Sequence, residues 1–286
     1  MTKKGWILVM AIITFKSNEN KETGQTLSLV AIATQMAIEH SHRILIISTN
    51  FEDQSLESCF WELDRLNKPI IQGQAAVGID NGVEGLIRVL ASNKTSPEIV
   101  RNYCKTVLRD RLDILLSPNT EDYEEYLQTC SSYPEILKMA NRYYDLVFVD
   151  LTKKMRPKEA NDILNESDVL VLNIGQTLKS VNDYQELKET EDFRTRRNII
   201  PLIGRYDSHS KYNVKNITRY LKEKRDMLAI PYNTLYFESC CEGKVIDFFL
   251  RLKNVDPTDR NHFIAAEASR ADETILAKLQ ELQMKI

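Results

Sequence analysis

Seven short runs rich in β-branched and other apolar residues restrict this chain to a narrow set of folds. They are Ala11–Phe15, Arg43–Ile47, Leu112–Leu116, Asp145–Asp150, Asp168–Asn173, Asn198–Ile203 and Met227–Ile230. Most read as continuous apolar strings and not as alternating apolar and polar residues. A strand with one face in water alternates, whereas a strand covered on both faces does not need to. Helical patterns lie between the runs. Leu27–Ile38 is largely apolar, while Val181–Glu191, Asn213–Glu223 and Lys244–Leu252 are amphipathic. This succession predicts an α/β fold: a doubly wound, mainly parallel sheet with helices on both faces. The 286 residues suit one such domain over residues 1–255, followed by a helical C-terminal extension over residues 256–286. In that tail Ala271, Ile275, Leu279, Leu282 and Ile286 recur at helical spacing and make one apolar stripe.

Composition narrows the function classes. A net charge of −3 excludes a wholly basic nucleic-acid binder, though not a local basic patch. The five cysteines form no CxxC pair, and the four histidines lack ligand spacing, so reduced thiols in a cytoplasmic protein are expected. The apolar run Gly5–Phe15 is too short to span a membrane and reads as a first strand. Either Met1 or Met10 could serve as the start.

In open sheets of this kind, ligands bind at the carboxyl ends of the strands. Four segments fall there: Lys16–Thr26, Ser48–Asp53, Asp150–Lys154 and Asn173–Ser180. The first reads KSNENKETGQT, between a strand pattern and a helix pattern. That is where the phosphate-binding pattern GxxxxGK[ST] belongs, with its backbone N–H groups around the phosphates. Gly24 and Thr26 fit the pattern. Gln25 stands where it demands lysine.

The order of segments from about Ala11 to Leu252 resembles the ParA/MinD group of P-loop ATPases, which position chromosomes, plasmids, division sites and pili. Against the family's KGGxGK[TS] loop the chain has Asn20, Lys21, Glu22, Thr23, Gly24, Gln25 and Thr26, so the signature lysine falls on Asn20 and the phosphate lysine on Gln25. The family's second strand ends in DxD; here it ends Ile47, Ser48, Thr49, Asn50, without either acid. The YDxxxxD strand is present from Tyr144 to Asp150, followed by Thr152 and Lys153 in place of Pro-Pro. Ser167, Asp168 and Val169 through Thr177, Ser180 and Asp183 resemble a later family segment. Gly204 occupies the place of an adenine-reading Asn. Ile230-Pro231-Tyr232 and Gly243–Phe249 resemble the closing pattern.

The resemblance implies an ATP or ADP site with magnesium, with Asn20, Lys21, Gly24, Gln25, Thr26 and Asp150 as nucleotide contacts and Thr26 and Asp150 at the ion. Thr26 could instead cap the helix, and Asp150 could simply end a strand. A neutral amide in place of the ammonium group predicts weak or absent hydrolysis, because losing one strong electrostatic stabiliser costs about 3–4 kcal/mol. The expected protein is a pseudo-ATPase and spatial organiser with nucleotide hydrolysis weak or absent. It would act as a homodimer docking protein partners of a positioning, pilus or secretion machine, as in the TadZ/CpaE-like branch with its atypical Walker motifs. The competing readings are a DNA-binding partition protein of a plasmid or mobile element, and an active ATPase that uses Lys16 or Lys21 as an unconventional lysine.

Arg194–Arg225 carries the support for DNA. Ten cations, among them Arg194, Arg196, Arg197, Arg205, Lys211 and Lys215, stand against Asp207 and Glu223. A solvated helix face is the plain alternative. The C-terminal stripe resembles in outline the membrane-targeting tail of MinD. Its other face, counted with Asp272, Glu273 and Glu281 against Lys278 and Lys285, lacks the basic excess of an interfacial helix. Packing on the domain or against a second helix is the expectation, with membrane contact peripheral at most. Asp122–Glu125 fits the acidic first turn of a helix and not an acid–base pair.

Overall fold

The computed structural model describes residues 10–19, 23–62, 82–91 and 96–284. Among them, eight strands form one sheet: β1 (Ala11–Ser17), β2 (Ile44–Ser48), β3 (Lys105–Leu108), β4 (Leu112–Leu115), β5 (Leu146–Asp150), β6 (Val169–Ile174), β7 (Ile199–Tyr206) and β8 (Leu228–Pro231). Their order is β3-β4-β2-β5-β1-β6-β7-β8. Every pairing is parallel except β3 with β4. All seven apolar runs became strands. The eighth, β3, is a partly exposed edge strand that reads KTVL, too polar to stand out as an apolar string.

The pleat explains the continuous runs. Ile12, Leu45, Ile47, Val147 and Val149 enter the core on one face, while Ile13, Phe15, Ile44, Ile46 and Phe148 enter the core on the other. Each strand is thus apolar at every position because each face has its own layer of helices. The first layer includes α4 (Tyr123–Cys130), α5 (Tyr133–Ala140), α6 (Pro157–Glu166), α7 (Leu178–Glu189) and α9 (Val214–Leu221), with the short α3 (Val83–Leu90) and α8 (Glu191–Thr195). The second includes α1 (Gln25–Glu39), α2 (Ser55–Ser58), α10 (Thr234–Cys241), α11 (Val245–Leu252) and α12 (His262–Gln283).

The tail helix α12 lies on the domain along α1 and β8. Ile264, Ala268, Ala271, Ile275, Leu276 and Leu279 are buried there, which uses up the apolar stripe. Ile286 lies outside the described residues. Asp272, counted above with the polar face, is instead fully buried. It falls four residues after Ala268 and four before Leu276, on the core side of the helix. Asp122 caps α4 by accepting hydrogen bonds from Glu124 N and Glu125 N, as the acidic first turn predicted. Among the described residues, no helix is long and apolar enough to cross a membrane.

Candidate nucleotide site

β1 lies between β5 and β6, and its carboxyl end opens onto a cavity of about 640 Å³. This falls within the usual size range of small-molecule sites. Helix α1 begins at the cavity. Gly24, at the N-cap, takes a left-handed φ of 74°, which glycine adopts without steric cost. A Cβ there would also meet Arg205 Cγ at 2.8 Å. The first helical bond runs from Ser28 N to Gly24 O at 2.8 Å. Gln25, Thr26 and Leu27 follow on the cavity lining. First-turn N–H groups lack intrahelical acceptors, so this end of α1 suits an anion.

Asp150 ends β5 directly beneath α1, in register with Phe15 of β1 and Ser48 of β2. It is 1% exposed. Gln25 Nε2 donates to Asp150 Oδ1 at 2.6 Å and to the Leu151 carbonyl at 3.0 Å. Thr26 Oγ1 donates to Asp150 Oδ2 at 2.7 Å, and Asn50 Nδ2 donates to the same oxygen at 3.2 Å. Thr26 therefore uses its hydroxyl on Asp150 and does not cap the helix. Burial pushes the Asp150 carboxyl above its usual range, against the pull of these three hydrogen bonds. Behind them Thr49 Oγ1 donates to the Asp150 carbonyl at 2.9 Å, while the Tyr126 hydroxyl donates to the Thr49 carbonyl at 2.8 Å.

The two amides, Gln25 and Asn50, stand where the resembled pattern has a lysine and an acid-bearing strand end. Each amide also turns an N–H toward Asp150. The three side chains bonded to this carboxylate are all neutral donors. A hydroxyl and a buried carboxylate 2.7 Å apart at a helix N-terminus fit magnesium, with the hydroxyl as ligand and the carboxylate holding the ion's water.

Cations reach the cavity from other elements. Lys153 and Lys154 follow β5, and Arg205 lies near the end of β7. Lys154 Nζ donates to the Phe51 carbonyl at 3.1 Å and stands 5.3 Å from the centre of the Phe51 ring. Burial lowers the Lys153 pKa, and Glu19 acts against that shift. Arg205 adopts a left-handed φ of 51°, with its stem against Gly24. Tyr232 and Phe237 also line the cavity, their ring centroids 6.5 Å apart. At Gly204 a Cβ would come within 2.1 Å of the Thr23 carbonyl oxygen. The loop backbone fills the space a side chain would need, so an asparagine at 204 requires the loop to move.

The structure brings Gly24, Gln25, Thr26 and Asp150 together. Asn20 and Lys21 lie outside the described residues. Lys16 shares its pleat with Ile12 and Thr14, on the opposite side of the sheet from α1. Its pKa is lowered by burial and by Arg196. The substitution of Lys16 for the missing lysine is therefore not supported by its position. The basic stretch is divided by β7. Arg194, Arg196 and Arg197 precede that strand, while Lys211 and Lys215 follow it. Eight residues at about 3.3 Å each put the two groups at opposite ends, roughly 25 Å apart. Arg196 Nη1 donates to the Leu164 carbonyl at 3.3 Å, and Arg205 belongs to the cavity. Sequence reasoning assigned no role to Lys154 and treated Lys153 only as a replaced proline. Their place just after a strand's carboxyl end was the available signal.

Comparison with solved structures decides the fold. A ParA family ATPase from Chlorobium tepidum TLS matches 96% of this chain and 99% of its own at 16% identity, with a TM-score of 0.63. The septum site-determining protein MinD from Pyrococcus horikoshii OT3, complexed with Mg-ADP, matches 94% and 98% at 16% identity, with a TM-score of 0.64. A putative plasmid partition protein from Borrelia burgdorferi B31, bound to AMPPNP, matches 96% and 95% at 17% identity, with a TM-score of 0.56. The chain has the ParA/MinD-type P-loop fold. No family model and no curated protein matches the sequence. Within this ParA/MinD-type fold, Gln25 and Asn50 meet at one buried acid, Asp150.

Proposed function

We propose that this chain is a ParA/MinD-type positioning protein that binds ATP or ADP with magnesium, hydrolyses it weakly or not at all, and acts as a dimeric scaffold for partner proteins. The observation that carries this reading is the 2.6 Å hydrogen bond from Gln25 Nε2 to Asp150 Oδ1. A lysine there would bring a full charge to the β- and γ-phosphates, whereas the amide brings a dipole and spends it on Asp150. Such a loss corresponds to about 10²–10³ in rate. Gly24, Gln25 and Thr26 would hold phosphates at the start of α1, and Asn20 and Lys21, outside the described residues, are further candidates from the sequence pattern. Thr26 and Asp150 would hold magnesium, which when bound neutralises phosphate charge. Tyr232 and Phe237 offer ring faces to a base that Gly204 has no side chain to read. The Mg-ADP and AMPPNP complexes of the MinD and partition structures support the nucleotide part of this reading.

The scaffold part concerns the partners of a positioning machine, with pilus or secretion assemblies of the TadZ/CpaE-like kind as the named candidate. Partition-type DNA binding is a second reading, favoured by the exposure of Arg194, Arg197, Lys211 and Lys215. Replacing these four by glutamate abolishes low-salt DNA retention on that reading and leaves nothing to abolish on the first. The decisive experiment pairs calorimetric ATP–Mg²⁺ titration with a turnover assay. Saturable binding without turnover is expected, and Gln25→Lys should tighten binding about tenfold or more. Turnover at the rate of a ParA protein with an intact lysine overturns the scaffold reading, and absence of binding overturns the nucleotide site.

A further inference from the structure

The far end of α1 carries a second polar cluster, which the nucleotide reading leaves unused. Helix α1 ends at Glu39, and His40 is its C-cap. Here α12 crosses it. His40 Nε2 lies 2.8 Å from Asp272 Oδ2. Asp272 is 0% exposed, and its other oxygen, Oδ1, has no hydrogen-bond partner. Ligand atoms of Glu39, His40 and Asp272 all lie within 4.8 Å of one another. Glu39 is held in place by neighbours: Gln35 Nε2 donates to Glu39 Oε1 at 2.5 Å, and Ser269 Oγ donates to it at 3.2 Å. Gln35 Nε2 also reaches Ser269 Oγ at 2.9 Å, which joins the two helices behind the carboxylate.

A fully buried carboxylate oxygen without a donor is costly, and few neutral arrangements would leave one there. A cation held by this carboxylate would offset that cost. One imidazole nitrogen and two carboxylate oxygens in this volume can close on metal bonds of about 2.0–2.2 Å with small side-chain rotations. Imidazole among the ligands favours a borderline first-row ion such as zinc over magnesium or calcium, and the cluster contains no thiolate to select a softer one. Gln35 and Ser269 supply the outer hydrogen bonds that orient ligands in such sites. We propose that Glu39, His40 and Asp272 bind a divalent ion of the zinc class, with water completing its coordination, and that the ion staples α12 to α1.

The test is titration of Zn²⁺ into the full-length, chelator-stripped protein, followed by calorimetry and by thermal unfolding. One equivalent should bind and raise the melting temperature. His40→Ala should abolish that equivalent. Glu39→Gln, at an exposed position that keeps the fold, should weaken it about tenfold or more, with ATP binding unchanged in both variants. Cobalt(II) substituted as the first equivalent should give a spectrum without a thiolate charge-transfer band. Three results overturn the proposal: no zinc-dependent rise in melting temperature, undiminished affinity in both variants, or a thiolate band that places the ion on cysteine.

Discussion

The two ends of α1 each rest on a buried aspartate, and the helix treats the two acids differently. At the start, Gln25 and Thr26 donate to Asp150, and Asn50 completes a set of three neutral donors covering both oxygens. At the end, roughly 22 Å away for a fifteen-residue helix, His40 meets one oxygen of Asp272 and the other has no partner. A buried carboxylate can be accommodated by dipoles alone if enough of them converge, whereas one left half-satisfied calls for a cation. The first arrangement gives both oxygens of the acid a donor from the protein itself. The second motivates a metal where the family resemblance implies none.

The sharpest way to break this comparison is to remove each acid in turn. Asp150→Ala strands three donors beneath α1. It should cost about 3 kcal/mol, a fall of roughly 6–12 °C in melting temperature for a chain of this size. Asp272→Ala, measured in chelator, removes one contact of the His40 imidazole and should cost about 1–2 kcal/mol. Differential scanning calorimetry separates the two. Equal losses would mean that the number of converging donors does not set the stability of these sites.

A third buried acid sharpens the contrast, because it has real cations. Glu223 accepts from the Tyr184 hydroxyl at 2.7 Å, with Lys188 Nζ at 3.1 Å and Arg225 Nη1 at 3.3 Å. Burial alone would raise its pKa. The Tyr184 and Arg225 hydrogen bonds and Lys188 outweigh burial and hold it at about 2, against an ordinary 4.5. With the folded value depressed, the stabilisation is fully present above the ordinary value and is lost as pH falls from about 4.5 toward about 2. It amounts to about 2 kcal/mol once the solvent screening of Lys188 and Arg225 is allowed for. The urea midpoint of the protein should therefore exceed that of Glu223→Gln at pH 5, and the gap should close toward pH 2.5. A gap that stays constant across this range would show that the cations are not what favours the ionised acid.

How far the sequence revealed these sites depends on whether the determining contacts are local. Seven strands were legible because burial on both faces makes a strand apolar at every position. β3 was not, because an edge strand can read Lys105, Thr106, Val107, Leu108 and still pair. Gly24, Gln25, Thr26 and Asp150 were legible because loop, helix start and strand end follow one another in a fixed pattern. Arg205 was legible only as part of a charge run, since nothing local shows that a left-handed residue near the end of β7 lays its stem across Gly24. Asp272 was misplaced because the stripe was drawn through Ala271, Ile275 and Leu279. The neighbouring row, Ala268, Asp272 and Leu276, is equally buried. An acid in such a row is a signal, but its partner, His40, is 232 residues away.

The subtlest test converts a dipole into a charge at the start of α1. Asn50→Asp exchanges a donor 3.2 Å from Asp150 Oδ2 for a second carboxylate. In chelator the two acids would repel across a poorly solvated gap. The new side chain can relieve this by taking a proton or turning into the cavity, which limits the loss to about 1 kcal/mol. With ATP and Mg²⁺ present the same substitution should cost nothing measurable, because a pair of carboxylates is favoured beside a divalent ion. The quantity to compare is the melting temperature of variant and parent, in chelator and in ATP–Mg²⁺. If the variant is equally destabilised in both, the Thr26–Asp150 pair does not hold an ion. The neutral donors at this end of the helix would then be a permanent replacement for a cation and not a resting state that awaits one.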